Sequence, residues 1–567
     1  MKKLLLLFTF LSLTSGIFAQ VSKTINVETA GTLSPSLTSN ELATITNLTI
    51  TGTIDARDFK TMRDNMPLLA VLDLSGVTIV AYNGTLGTSN YQPDYPANTI
   101  PENAFLNKTW QGKISLTSIV FPVSLTAIGD YSFYSCSGLT SLVIPSSVTS
   151  IGYSAFYSCS GLTTVTIPSS VTSIGEDAFR DCSGLITVTI PSSVISIGKS
   201  VFYGCSGLTT VTIPSSVTSI GDWAFVDCRG LTTVVIPSSV TLIGNYAFLR
   251  CSGCTTVAIP SSVTSIGEGV FAGCSGLTTV AIPSSVTSIG DYAFSGCSGL
   301  TTIEIPTSVN SIGNDVFSYC SGLTSVTIPS SVTSVANYAF YGCSGLITVD
   351  SNNPNYSSLD GVLYDKSQTL LIHCPTSKIE SFIIPSSVTS IGNAAFNNCR
   401  ELTTVTIPSS VISIEESAFI NCDGLTSIIT SRITPINLSV SYGVFDSFKT
   451  TCTLYVPLGS KSAYQVADQW KDFANIVEKD LTGIDPIISD QKLNIYPNPT
   501  TGKVKLVFDQ IPQGGETLTV NDFTGKTILT QSIQNKEEWI DLKGNSPGVY
   551  LIRTNMKDFK VQKIILK

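Results

Sequence analysis

Cysteine is the residue type in this sequence whose number and spacing most suggest chemistry. The 567 residues include fifteen cysteines, and ten of them, from Cys136 to Cys343, recur at intervals of 23 residues. In an exported protein so many cysteines would ordinarily indicate a disulfide framework. Equal spacing favours another interpretation, because residues stacked in register about 5 Å apart exceed the usual Cβ separation of a disulfide. We therefore interpret the repeated cysteines as small, buried, apolar residues.

Two other features suggest redox or metal chemistry. Cys251 and Cys254 form a C-x-x-C motif, but no thioredoxin-like βαβ pattern surrounds it. His373 is the single histidine of the chain, so a His-centred triad or a multi-histidine metal site would have to be built around that residue. We expect no cofactor and no metal site.

Catalytic carboxylates are equally sparse within the repeats. Asp177 with Asp181, and Glu415 with Glu416, are the two pairs that merit attention. Catalysis needs groups that converge in a pocket, whereas an array of near-identical units presents rows, so these pairs are better explained as solvated surface charges. We predict no catalytic residue and no enzymatic activity, with a hydrolase as the less favoured alternative.

A 23-residue repeat positions the cysteines. One copy, from Gly161 to Cys182, reads G-L-T-T-V-T-I-P-S-S-V-T-S-I-G, two variable residues, A-F, two more and C. Its first apolar residues predict a strand that Pro168 ends. Gly175 is predicted to turn with positive φ, and the A-F-x-x-C segment to form a short helical or 3-10 piece. A single unit cannot bury this apolar face, but a stack of units can.

The repeat resembles the leucine-rich repeats of the BspA-like surface proteins of Bacteroidetes. The motif L-x-x-V-x-I-P-x-x-V-x-x-I-G-x-x-A-F-x-x-C recurs twelve times. Ala336 and Glu415 replace its glycine, and Cys254 replaces its leading leucine. The resemblance implies a repeat solenoid with one β-strand and one short helical segment per turn.

The chain begins and ends with segments typical of export. A basic start, an apolar run from Leu4 to Leu13 and the small residue Ala19 predict a signal peptide. Near the end, Pro497-Asn-Pro499, Asp522-x-x-Gly525-Lys526 and the strand from Gly548 resemble the C-terminal sorting domain of the type IX (Por) secretion system. That resemblance implies handling by the type IX machinery through residues 493–567, and a secreted or cell-surface location on a Gram-negative bacterium. Its short alternating strands predict a small β-sandwich, with an ordinary β-sandwich binding module as the alternative.

These features predict a domain order for the whole chain. The predicted segments are a signal peptide at 1–19, an irregular N-terminal cap at 20–115, leucine-rich repeats at 116–349, an inserted hairpin at 350–382, further repeats at 383–430, a C-terminal cap at 431–480, a linker at 481–492 and the sorting domain at 493–567. Within the caps, a helix is predicted from Asp55 to Asn65, and a second helix, capped by Ser460, is predicted to bury Tyr464, Val466, Trp470 and Phe473.

Charge and repeat pattern together indicate where a partner would bind. The formal net charge is −9, and the absence of a Lys/Arg-rich run argues against nucleic acid and anionic membrane surfaces. No later stretch is long and apolar enough to span a membrane.

The outward positions of the strands give a first candidate face, although β-propensity and solubility also explain it: Thr164, Thr187, Thr210, Thr233, Thr256, Thr279 and Thr302. Aromatic residues beside the A-F pair give a second, variable face: Tyr153, Tyr157, Trp223, Tyr246, Tyr292, Tyr319 and Tyr341.

The sequence therefore predicts an exported, adhesin-like binding protein that recognises protein or glycan partners through its solenoid surface. A surface-layer or architectural protein is the main alternative. A protein that binds ice or another crystal surface is a further alternative, because regular threonine rows can match a lattice.

Overall fold

The structure, a computed structural model, describes residues 20–89, 93–445, 447–481, 493–496, 500–508, 516–522, 526–554 and 562–566. The predicted signal peptide, nearly all of the predicted linker and the tail motifs at 497–499 and 523–525 lie outside these residues. The chain divides into two compact units, the first ending at Lys366 and the second beginning at Ser367. Across the described ranges, no helix has the length and apolar character needed to cross a bilayer.

The first unit is a β-solenoid in which each 23-residue coil contributes two parallel strands. Strand pairing keeps equivalent residues side by side, so that Thr164 pairs with Ser141 and Thr187. The longer strands are Ser118–Val120, Ser141–Val143, Thr164–Thr166, Thr187–Thr189, Thr210–Thr212, Thr233–Val235, Thr256–Ala258, Thr279–Ala281, Thr302–Glu304, Ser325–Ile328 and Leu346–Val349. The shorter strands are Ala127–Ile128, Ser150–Ile151, Ser173–Ile174, Ser196–Ile197, Ser219–Ile220, Leu242–Ile243, Ser265–Ile266, Ser288–Ile289, Ser311–Ile312 and Ser334–Val335. The solenoid predicted from the repeat is confirmed.

A continuous stack of phenylalanine rings fills the centre of these coils. Successive rings from Phe105 to Phe340 have centroids 5.2–5.9 Å apart and planes within 29° of each other. The repeated Leu, Val, Ile and Cys side chains are buried around the stack. Burying a phenylalanine side chain stabilises the folded state by about 1.5–3 kcal/mol. A single coil cannot gain this stabilisation, because its ring is buried only between neighbouring coils.

The helical segment predicted for each coil is not confirmed, because turns occupy that part of the repeat. Asp177 and Asp181 have φ angles of 56° and 57°, and left-handed residues interrupt a right-handed helix. The backbone of this segment also bonds between coils: the N–H of Phe156 donates to the carbonyl of Ala178 over 2.8 Å, and the N–H of Ser158 to that of Arg180 over 2.7 Å. Bonds between stacked coils thus alternate with single-turn bonds, such as that from the N–H of Arg180 to the carbonyl of Asp177, and no continuous helical ladder forms.

The prediction for Gly175 is wrong. Its φ is not positive, and the left-handed residue is Asp177, two positions later. Glycine is required at position 175 for a different reason: a Cβ would lie 2.6 Å from the backbone of Gly152 in the preceding coil. Close approach of two chain segments, rather than turn geometry, explains this residue.

The N-terminal part of the first unit is less regular than the coils. Strands Ser22–Val27, Asn47–Ile54 and Val71–Ile79 form a parallel sheet with Ser118–Val120. The helix predicted from Asp55 is confirmed as Ala56–Asp64, since Asp55 caps its start and Asn65 its end. The remaining elements are helix Ser39–Thr44 and strands Tyr82–Asn83, Asp94–Tyr95 and Thr99–Ile100.

A β-hairpin closes the first unit. Strands Tyr356–Leu359 and Val362–Asp365 are antiparallel. Asp360 and Gly361 join them, with φ angles of 51° and 79°, as a two-residue hairpin turn requires. Asn353 donates from its buried side chain to the carbonyls of Pro329 and Val332, which ties the start of the insertion to the last coils.

The second unit continues with further coils. Its parallel strands are Leu370–His373, Glu380–Ile383, Ser390–Ile391, Leu402–Ile407, Ser413–Ile414, Ser427–Thr430, Thr453–Pro457 and Asn475–Lys479. Phe396, Phe419 and Phe445 repeat the ring stack at 4.8 and 5.7 Å.

The predicted C-terminal helix is largely wrong. The helix spans only Lys461–Tyr464, and the Ser460 side chain does not cap it but donates to the carbonyl of Pro457. A 3-10 turn follows at Trp470–Asp472. Tyr464, Trp470 and Phe473 are buried as predicted, but Val466 is 76% exposed, because the helix ends before its apolar spacing can extend to that residue.

The tail contains two antiparallel sheets. One comprises Leu493–Tyr496, Lys503–Phe508 and Glu537–Asp541; the other comprises Thr517–Asp522, Thr527–Ser532, Gly548–Thr554 and Gln562–Leu566. Side chains from both sheets, among them Leu506 and Ile552, belong to one buried cluster. The predicted β-sandwich stays a prediction.

Candidate binding faces

The first candidate face is the row of threonines on the longer strands. Thr164, Thr187 and their equivalents to Thr302 are exposed, while the valine or isoleucine between the two outward positions points inward. Within the described residues, none of the seven hydroxyl groups has a hydrogen-bond partner in the protein. The row therefore offers in-register donors and acceptors whose hydrogen-bonding capacity is unused.

The threonine that precedes this row behaves differently in most coils. The hydroxyl of Thr255 donates to the carbonyl of Thr232 over 3.3 Å, and that of Thr278 to the carbonyl of Thr255 over 3.2 Å. In a third row of threonines, the hydroxyl of Thr218 donates in the same way to the carbonyl of Ile195 over 3.2 Å. These threonines tie coils together, so only part of the threonine content is available to a ligand.

The seven predicted aromatic residues do not form one row. Trp223, Tyr246 and Tyr292 occupy the first left-handed position of their coils, with φ between 57° and 58°. Tyr319 occupies the second left-handed position. Tyr153 precedes the first left-handed position, and Tyr157 and Tyr341 lie between the two. The variable face is thus made of four neighbouring rows.

The structure brings together an aromatic group at the start of this face. Tyr153 and Tyr157 are joined by three residues that were not predicted: Trp110, Tyr131 and Tyr134. The 23-residue period could have indicated Tyr134, which is one repeat before Tyr157. No comparable signal exists for Trp110, which lies in an irregular loop before the first complete coil.

Charged side chains stack on several rings of the variable face. Arg180 lies between two tyrosines, with its Cζ 5.6 Å from the ring of Tyr157 and 4.1 Å from that of Tyr203. Lys199 Nζ lies 4.7 Å from the ring of Trp223. Cation–π contacts of this kind contribute about 0.5–1 kcal/mol at exposed sites.

The remaining predicted aromatics have their own partners. Tyr246 donates to the carboxylate of Glu268; burial, together with this contact, raises the pKa of Tyr246 to about 12. Tyr319 and Tyr341 meet edge to face at 5.2 Å, and Tyr292 is 41% exposed. Apart from Tyr319 and Tyr341, these residues are not gathered into one cluster.

The candidate catalytic groups occupy structural or solvent-exposed positions. Asp177 and Asp181 both pair with Arg180, at 3.2 and 3.7 Å, and Glu415 and Glu416 are exposed. Among the residues that the structure describes, no three His, Cys, Asp or Glu side chains are placed to hold a metal ion.

All fifteen cysteines are free and buried. The Sγ of Cys205 donates a hydrogen bond to the carbonyl of Phe179 in the preceding coil over 3.1 Å. Burial raises the pKa of the Cys182 thiol to about 12, and it also raises the pKa of Cys251 and Cys254. The C-x-x-C motif is therefore neither a disulfide nor a pair of activated thiols.

Comparison with protein families gives two matches. The BspA-type leucine-rich repeat region matches in six copies, over residues 98–232, 224–347 and 373–456. The secretion system C-terminal sorting domain matches residues 494–567, which marks the chain as a type IX substrate destined for the cell surface. No protein of curated function gives a significant match.

The solved structures that are similar to this chain include two leucine-rich repeat proteins. A leucine-rich repeat protein from Bacteroides ovatus is 26% identical, with a TM-score of 0.43, and the match covers 60% of this chain and 92% of that one. A leucine-rich cell surface protein from Faecalibacterium prausnitzii is 31% identical, with a TM-score of 0.39, and the match covers 60% of this chain and 84% of that one.

Proposed function

This chain belongs to the BspA-type leucine-rich repeat family and carries a type IX sorting domain, and from that premise we propose that it is an adhesin-like binding protein of the cell surface. Its partners are extracellular proteins or glycans, and the working surface is the threonine face of the solenoid, Thr164 to Thr302. Under this proposal the residues from 493 onward serve export, and the two tail sheets form the β-sandwich of the sorting domain.

The observation that carries the proposal is the difference between adjacent threonine rows. Thr255 uses its hydroxyl to bond the neighbouring coil, whereas the hydroxyl of Thr256 has no partner among the described residues and the side chain is exposed. Seven such groups repeat in register, with no charge among them. A surface of this kind suits a partner that presents many hydroxyl or amide groups, as glycans and extended polypeptides do.

Binding rather than catalysis follows from the same arrangement. Equivalent groups form rows along the coils, and a catalytic site needs different groups that converge on one point. Of the two candidate carboxylate pairs, Asp177 and Asp181 are held by Arg180, and Glu415 and Glu416 are exposed.

The test is a binding assay with the exported chain on immobilised fibronectin, fibrinogen, mucin and bacterial surface glycans. Thr187→Val/Thr210→Val/Thr233→Val removes three free hydroxyls and keeps side-chain shape. The matched control, Thr209→Val/Thr255→Val/Thr278→Val, removes three hydroxyls that already bond the backbone.

Saturable binding that the first variant loses and the control retains would support the proposal. Binding that both variants retain would move the working surface elsewhere. If the unmodified chain binds none of the panel, a surface-layer or architectural role becomes the better explanation.

A further inference from the structure

Five aromatic side chains form a cluster at the N-terminal end of the variable face: Trp110, Tyr131, Tyr134, Tyr153 and Tyr157. Trp110 meets Tyr131 at 5.9 Å and Tyr134 at 6.0 Å, with ring planes at 83° and 72°. Tyr131 and Tyr153 are 5.3 Å apart at 67°. Tyr134 and Tyr157 stack at 4.6 Å with planes 8° apart, but the other contacts are inclined, so the five rings do not share one plane, as a flat platform for a sugar ring would require.

The cluster is accessible and held in place. Trp110 is 63% exposed and Tyr153 is 38% exposed. The side chain of Asn107 accepts hydrogen bonds from the N–H groups of Thr109 and Gln111, which fixes the loop around Trp110. Gly112 brings this loop against the backbone of Tyr134, since a Cβ there would lie 2.1 Å from the Tyr134 carbonyl oxygen. The rings are thus presented to solvent by a rigid support.

Neighbouring coils show how this face uses its aromatic rings. Arg180 fills the space between Tyr157 and Tyr203, and Lys199 covers Trp223. No Lys or Arg of the described residues lies over Trp110, Tyr131, Tyr134 or Tyr153. The rings in the N-terminal part of the cluster thus lack the cation that covers Tyr157, Tyr203 and Trp223.

Several carboxylates lie close to the tyrosines of the cluster. Asp130 accepts from the backbone N–H of Tyr153 over 2.7 Å, and the Asn103 N–H donates to the backbone carbonyl of Asp130, which places Glu102 close by. Burial raises the pKa of Tyr131, with a further contribution from the charges of Asp130 and Glu102. The charges of five carboxylates act on Tyr131, Tyr153 and Tyr157, and Arg180 is the basic group beside Tyr157: Glu102, Asp130, Glu176, Asp177 and Asp181.

We propose that the aromatic cluster binds an arginine or lysine side chain from a basic segment of a partner protein. The ring faces attract the cation through their quadrupoles, and the surrounding carboxylates raise the local concentration of basic segments. This inference rests on the proposed binding function and adds a second contact surface, with its own partner chemistry, to the threonine face.

The test measures binding of a fluorescent octa-arginine peptide to the full chain by anisotropy, with the neutral octa-citrulline peptide in parallel. We expect saturable, salt-sensitive binding of the arginine peptide and at least tenfold weaker binding of the citrulline peptide. Trp110→Ala should weaken the arginine complex about five- to tenfold. Trp223→Ala is the matched control, because its ring is already covered by Lys199, and it should leave the affinity unchanged.

Three outcomes would overturn the inference. Binding of the arginine peptide that Trp110→Ala leaves unchanged would show general attraction to an acidic chain, and equal binding of both peptides would show that charge is not recognised. Binding of a neutral hexasaccharide that Trp110→Ala abolishes, without peptide binding, would make the cluster a carbohydrate site. None of these results depends on the threonine variants, so failure here is distinguishable from failure of the proposed function.

Discussion

The Sγ of Cys182 lies 3.1 Å from the carbonyl oxygen of Phe156, one coil earlier, and donates a hydrogen bond to it. The same contact recurs along the solenoid, at Cys159, Cys205, Cys228, Cys251, Cys274, Cys297 and Cys320. A small apolar side chain with a weak donor suits this position, because it fills the space beside the phenylalanine stack and still bonds the backbone. The contact requires a reduced thiol.

The cysteines should be inert in the folded protein. Because all fifteen are buried with free thiols, we expect no labelling by a maleimide at neutral pH, and labelling of all fifteen in concentrated guanidinium chloride. Mass spectrometry of the intact chain counts the adducts. Fewer adducts in denaturant without reductant than with reductant would reveal disulfides and contradict this prediction.

The thiol ladder should make the protein sensitive to alkali. In the folded chain the pKa of Cys182 is raised to about 12 by burial, from an ordinary value of 9.0. The unfolded chain therefore loses this proton first, so the free energy of unfolding falls as pH rises from about 9 towards 12. Denaturant titrations across this range measure the slope, and Cys182→Ala should show a shallower slope. An unchanged slope would show that the thiols do not contribute.

Replacing Cys205 with a smaller residue should lower the free energy of unfolding in proportion to the side-chain volume removed. Cys205→Ala deletes the sulfur and its bond to the Phe179 carbonyl, but that carbonyl keeps the N–H of Cys182 as a partner. We expect a loss of about 1–2 kcal/mol in the free energy of unfolding. Cys205→Ser keeps a donor but buries a hydroxyl, and the comparison of the two variants in guanidinium chloride separates packing from hydrogen bonding.

Two equivalent glycines should respond differently to alanine. At Gly175 a Cβ would lie 2.6 Å from the backbone of Gly152, whereas at Gly198 its nearest neighbour would be the Val201 side chain at 3.4 Å. Gly175→Ala should therefore destabilise the protein by about 1–3 kcal/mol, and Gly198→Ala should change stability by less than about 0.5 kcal/mol. Thermal unfolding of both variants measures the difference, and equal effects would show that the coils adjust freely.

Removal of one ring from the phenylalanine stack should lower the free energy of unfolding. Phe225 stacks on Phe202 at 5.4 Å and on Phe248 at 5.3 Å, so Phe225→Ala opens a cavity between two coils. A loss of about 3–5 kcal/mol is expected, and Phe225→Leu, which keeps most of the apolar volume, should lose less. Because coils are stabilised by their neighbours, hydrogen exchange should increase first in the coils on either side of position 225. Protection that is unchanged there would contradict the role of the stack.

The 23-residue period by itself determined the solenoid, the inward residues and the parallel register. Phe179 and Cys182 had to be buried because each coil has no other core, and the spacing assigned Thr164 and Thr187 to one outward row. Local signals also sufficed for the helix after Asp55, where a capping residue and an amphipathic segment coincide. Local signals were not enough after Ser460, where the helix ends at Tyr464 and leaves Val466 exposed.

Only the tertiary structure decided what lies between the coils. The requirement for glycine at position 175 comes from the backbone of Gly152, which is 23 residues away in sequence but adjacent in space. The free hydroxyl of Thr256 and the bonded hydroxyl of Thr255 belong to consecutive residues of one type, so only the position of the neighbouring carbonyl distinguishes them. The contact of Trp110 with Tyr131 follows no period at all. These features depend on distances between stacked segments, and a repeat pattern specifies which segments stack but not how closely each pair of side chains approaches.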